Sequence, residues 1–166
     1  MRKSLEQKKD DLIGGLVMAR RSLLEAAGEL PPERLDEVFL GTWSVKDLLT
    51  HLVGWDITNL QAIQEILAGQ PPAFFQFFDK DWQSYNARLV AEYKIEPFMA
   101  LLASLEDSHR QLITFLEGLP ARFIVEGKGR SPSGRTIITV HNLLQAEASD
   151  ERKHAGQIGG YFNVGF

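Results

Sequence analysis

The sequence contains no cysteine. Disulfides, thiolate metal sites and cysteine nucleophiles are therefore excluded, and a reducing compartment is compatible with the chain. It also lacks any apolar run near the ~18 residues that a membrane-spanning helix needs. Its first ten residues are charged and carry no apolar signal core. A strong charge bias is missing too: the formal net charge is -4. That mildness, with no basic stripe or recognition helix, argues against a nucleic-acid partner held by charge. The glycines between 127 and 134 match no phosphate-binding spacing and stand in no strand-then-helix context. No internal repeat, low-complexity tract or long linker is present. The expectation is one soluble, cytoplasmic domain over residues 1–166, with neither nucleic acid nor membrane as a partner.

What is present reads as helix. Ser4 followed by Gln7 is a capping-box pattern, and Leu12, Leu16, Val17, Leu23 and Leu24 follow at helical spacing until Gly28 and Pro31-Pro32. Ser44 with Asp47 opens a second helix, with Leu48, Leu52, Trp55, Leu60 and Ile63 on its apolar side and Gly69 and Pro71-Pro72 at its end. Phe74, Phe75, Phe77 and Phe78 crowd a crossover; they fill the top of the core, or line a pocket or dimer contact. A helix over 82–95 precedes Pro97. A narrow seam follows through Ile95, Phe98, Leu102, Leu105, His109, Leu112 and Leu116. Residues 120–136 predict a loop or short hairpin, and a last helix runs from about Thr139 to Phe162. Strand signal is almost nil. The fold class is all-α, a four-helix bundle.

The last helix carries the chemistry. At about 100° per residue, Glu147, Asp150 and His154 share a face with Leu143, Ile158 and Tyr161, which predicts that this face points into the bundle. A carboxylate four residues before a histidine can offer two ligands to one ion. A third must come from another helix. His51, flanking the second helix's apolar stripe, can supply it. His109, in the seam, reads as a hydrogen-bonded core residue, and His141 as exposed. An exposed salt-linked Asp150–His154 pair is the plainer alternative, but polar groups on a buried face are costly unless paired or ligated.

The segment GTWSVKDLLTHLVGWD (residues 41–56) resembles the second-helix signature of the DinB/YfiT-like superfamily, and DERKHAGQI (150–158) resembles its closing motif. The two lie in the right order and about the right distance apart. The resemblance implies an up-down-down-up bundle with a long crossover between helices 2 and 3, often a homodimer. It places His51 and His154 at metal positions, and Asp150 where the family usually has a histidine. Gln157 would then support a ligand, and Glu147 would be a catalytic base or an extra ligand. The implied cofactor is a divalent metal ion, zinc or nickel first, iron or manganese next. Relatives include thiol S-transferases and a maleylpyruvate isomerase, in which metal-bound thiol attacks a small substrate. A low-molecular-weight thiol as cosubstrate suits a chain without cysteine. Lys46 to Asp56 also resembles the ClbS/DfsB branch, associated with resistance to a reactive genotoxin. Three functions stay open: a metal-dependent thiol transferase or hydrolase, a metal-free protective binding protein, and a stress-induced structural dimer.

Overall fold

The computed structural model describes residues 3–77, 81–130 and 137–163. Phe78 of the crossover and Pro132 and Gly134 of the expected loop lie outside them. Helix α1 spans Leu5–Gly28; Ser4 Oγ accepts from the Gln7 amide while the Gln7 side chain accepts from the Ser4 amide. The reciprocal pair satisfies two otherwise orphaned donors. Leu12, Leu16 and Leu23 are buried, but Val17 of the expected stripe is 43% exposed at its edge.

A short antiparallel hairpin that the sequence did not announce follows, β1 (Val38–Leu40) with β2 (Trp43–Ser44). Gly41 turns it at φ +63°, a conformation that costs a side chain dearly. Helix α2 (Val45–Leu67) starts on Ser44, whose amide and side chain both meet Asp47.

The crossover contains a 3-10 turn at Ala73–Phe77 and helix α3 (Trp82–Tyr93). Gly54 lets α3 lie close on α2, because a Cβ there would stand 2.8 Å from Leu89 Cβ. Gly54→Ala should therefore destabilise the protein by about 1–3 kcal/mol through overpacking, despite alanine's better helix propensity. A urea midpoint that does not fall would show that the two helices have room to spare.

Helix α4 (Phe98–Gly118) follows Pro97, and its buried line is Leu101, Leu105, Ser108, Leu112 and Leu116. The predicted seam through Leu102 and His109 lies one residue to the side, where both are half-buried. A short helix α5 (Ala121–Val125) and an antiparallel pair, β3 (Lys128–Arg130) with β4 (Ile137–Thr139), lead to α6 (Val140–Phe162), capped by Thr139.

Four long helices, α1, α2, α4 and α6, make the bundle; α1 packs mainly on α6, and α2 on α4 and α3. Its core has two main apolar clusters. One holds Leu23, Leu52, Leu105 and Ile158; the other holds Leu16, Ile63, Leu112 and Leu144. Helices α1 and α6 run from the second cluster to the first, and α2 and α4 the opposite way. Where they cross mid-height, each contributes one polar residue: Arg20, Asp56, Ser108 and Glu151. No described helix is long and apolar enough to cross a membrane.

Candidate metal centre and adjoining cavity

Two elements supply the three expected ligands. His51 sits on the second turn of α2 and is buried; Asp150 and His154 stand one turn apart on α6. One ligand atom from each lies within 4.8 Å of the others. His154 Nε2 is 3.3 Å from Asp150 Oδ2. Two ligands about 2.1 Å from one tetrahedral ion stand roughly 3.4 Å apart, so this pair already has ligand spacing.

The tautomer sharpens the contact. Gln157 Oε1, an acceptor, lies 2.6 Å from His154 Nδ1. The Nδ1–H therefore donates to it, and a neutral ring turns its Nε2 lone pair toward a carboxylate oxygen. Only a shared proton or a cation makes that contact favourable. His51 adds to the case: its Nδ1 is buried with no hydrogen-bond partner. Burial, and then His154, push its pKa down to about 3, so its ring stays neutral, the form a metal requires. Where a proton is shared, the Nε2–H donated to Asp150 holds that carboxyl below the usual carboxylate range. The His51 ring is flanked by Trp43 at 4.8 Å and Trp55 at 6.1 Å between centroids, which fixes its direction. Two imidazoles and a carboxylate fit a divalent zinc-class ion.

The inward face of α6 differs from expectation. His154 and Ile158 are buried as expected, but the rest of the buried set is Val140, Leu144, Ala148, Glu151, Ala155 and Phe162. It is centred one residue on from Asp150, so the Asp150 side chain is 54% exposed and Tyr161 faces outward. Glu147 and Asp150 instead border a cavity of about 580 Å³ beside the bundle axis, lined also by His51, Trp55, Phe74 and Trp82. Phe74 and Phe75 of the crossover thus serve a pocket. His141 is half-buried, away from the triad.

The sequence reading missed the polar layer. Arg20 spans two carboxylates, with Nη1 and Nη2 each 3.0 Å from Asp56 and Nε and Nη2 at 3.0 and 2.7 Å from Glu151. Leu105 O and, through Asp56, the Ser108 hydroxyl complete it. Burial opposes charge on both Arg20 and Asp56, yet their mutual attraction wins: the guanidinium is raised and the Asp56 carboxyl lowered. His109 Nδ1 is 3.9 Å from Asp56 Oδ1, too far to hydrogen bond, so the expected hydrogen bond is not formed. Asp56, His109 and Glu151 also have ligand spacing, but Arg20 fills their centre.

Glu147 lies next to that layer. Burial, then Glu151 and Asp56, push its pKa up to about 8, so it is protonated at neutral pH. An acid whose folded pKa exceeds its unfolded value near 4.5 favours folding below the unfolded value and loses that advantage as pH climbs to the folded one. Stability should thus decline from about pH 4.5 to 8, by at most about 1.4 kcal/mol per unit. Glu147→Gln should flatten the slope and be the more stable protein at pH 8. Equal slopes in denaturation midpoints of the two proteins would refute the assignment.

A family model of the DinB superfamily matches residues 16–158. No curated protein matches the chain. Among solved structures, colibactin self-resistance protein ClbS in complex with double-stranded DNA superposes with a TM-score of 0.73 at 19% identity, covering 95% of this chain and 97% of that one. An uncharacterised protein from Escherichia coli UTI89 gives 0.74 at 18%, covering 95% and 96%. YfiT from Bacillus subtilis, reported as a probable metal-dependent hydrolase with an unusual four-helix bundle topology, gives 0.67 at 21%, covering 96% and 88%. These likenesses establish the fold. The ClbS complex also corrects the exclusion of nucleic acid drawn from the sequence. A bundle of this shape engages duplex DNA, and a whole-chain charge sum says little about the local surface that does so.

Proposed function

The chain belongs to the DinB superfamily, and from that premise we propose that it is a divalent-metal protein acting on a small electrophile through activated water or an activated thiol. His51, Asp150 and His154 would hold the ion. The observation that carries this reading is the His154 Nε2–Asp150 Oδ2 contact at 3.3 Å, with a ligand atom of the buried His51 within 4.8 Å. A bound ion would supply Lewis acidity, lowering the pKa of a coordinated water or thiol.

The chain's own groups have distinct tasks. Gln157 holds the His154 ring by accepting its Nδ1–H, which fixes tautomer and direction. Trp43 and Trp55 brace His51. Glu147, protonated beside the cavity, can give a proton to a leaving group and recover it later, as a general acid near its pKa does. The aromatic wall keeps water from the body of the substrate.

Titration of chelator-stripped, untagged protein with zinc and with nickel tests the proposal. One equivalent bound per chain is the expected result; no stoichiometric uptake would sink it. That second outcome would favour a metal-free protective protein, a reading supported by the exposure of Asp150, which can then act as a simple salt-linked partner of His154. Gln157→Ala should weaken metal binding by about 10–100-fold, as loss of a ligand's supporting hydrogen bond does.

A further inference from the structure

We propose that the cavity takes a flat, uncharged aromatic carboxamide, its ring held against the tryptophan and phenylalanine wall and its amide paired with the Glu147 carboxyl. The inference rests on this cavity being the ligand site of the proposed function, and names the class of molecule that fills it.

The wall sets the shape. The Trp55 ring centroid is 5.3 Å from that of Phe74 and 5.5 Å from that of Trp82, and Phe74 stacks on Phe75 at 4.6 Å. Trp55 Nε1 donates to Asn86, so its indole cannot swing away. Ile138 and Leu143 line the same cavity. A slot walled by rings and aliphatic groups favours a planar apolar body.

Charge excludes anions. No lysine or arginine is among the described lining residues, and Asp150 is at the rim. Behind the wall, Arg20 is already shared between Asp56 and Glu151, one cation against two anions. While the His51–Asp150–His154 site holds no ion, a carboxylate or phosphate entering here meets no cation among the described lining residues.

The polar groups choose among the remaining classes. Asn59 is fully enclosed at the cavity wall, and neither of its amide atoms has a hydrogen-bond partner. It lies near enough to Glu147 to oppose the rise in that residue's pKa. A protonated Glu147 offers one donor and one acceptor side by side. A carboxamide is their planar complement: its carbonyl accepts the acid O–H, and its N–H donates to the acid carbonyl. An ammonium ligand would satisfy acceptors alone and leave the acid hydrogen unmatched.

Binding of benzamide, benzoate and benzylammonium at pH 7 tests the assignment. Tryptophan emission and amide chemical shifts would be followed in both chelator-stripped and zinc-supplemented protein. The selection is read in the chelator-stripped protein: benzamide should bind saturably there, with the two ions weaker by at least about tenfold. Glu147→Ala should weaken benzamide by about tenfold and Glu147→Gln by less than about threefold, since glutamine keeps a donor and an acceptor. Benzoate or benzylammonium binding as well as benzamide, no saturable binding, or an unaffected Glu147→Ala would each overturn the inference. Zinc uptake without selection for benzamide would overturn it and leave the metal reading standing. Selection for benzamide in a protein that takes no metal would do the reverse.

Discussion

Replacing Arg20 by methionine is expected to lower the unfolding free energy by about 3–5 kcal/mol at pH 7, the range for removing one partner of a buried ion pair. Asp56 and Glu151 would remain at 2% and 1% exposure without their cation. Ser108 would still donate to Asp56, but a hydroxyl cannot balance two carboxylates. The loss should shrink as pH falls, because protonation relieves both groups. Arg20→Met, Asp56→Leu and Glu151→Leu made together should recover most of the lost stability, since well-packed apolar replacements of buried ion clusters are often neutral or better. Chemical denaturation at pH 7 and 4.5 measures all three effects. A single-variant loss below about 1 kcal/mol would mean that water reaches the layer.

His51→Ala carries the second large effect. Under the metal reading, one of three protein ligands disappears, and the affinity for zinc should fall by well over a hundredfold, more than loss of a supporting bond costs. Stability should move in the opposite sense from the usual core truncation. The removed ring has a buried nitrogen without a partner, which is a cost that truncation relieves. The cavity left between Trp43 and Trp55 offsets part of that relief, so the metal-free variant should stay within about 2 kcal/mol of the wild type. Zinc bound as tightly by His51→Ala as by the wild type would remove His51 from the site.

Local chemistry made much of this structure legible. Ser4–Gln7 and Ser44–Asp47 close reciprocal hydrogen bonds over three residues, so both helix starts are written within a single turn. Asp150 and His154 lie one turn apart on any helix. Their meeting with His51 came from motif order, since nothing local ties α2 to α6. The layer stayed hidden for the same reason. Arg20 falls four residues after Leu16 and three before Leu23, an inward position, but its fitness for the interior depends on carboxylates 36 and 131 residues away. Asn59 is hidden likewise. The face of α6 was misjudged because Ala148 and Ala155 weigh little in an apolar pattern, whereas Tyr161 weighs much and points to solvent. The β1–β2 hairpin is too short for alternation to show, and only Gly41 marks it.

The charged layer bears on how the chain finds its fold. Amphipathic helices of similar length can pair in many registers at nearly equal apolar burial. A helix α4 slipped by four residues so that Leu112 replaces Ser108 would present leucine to Asp56, and an α6 slipped so that Ala155 replaces Glu151 would leave the Arg20 Nε pointing at alanine. Each slip strands a charge in a dry interior. The four residues thus act as a proofreading mark, rejecting misaligned bundles during assembly, and the same alignment sets the height at which His51 meets His154.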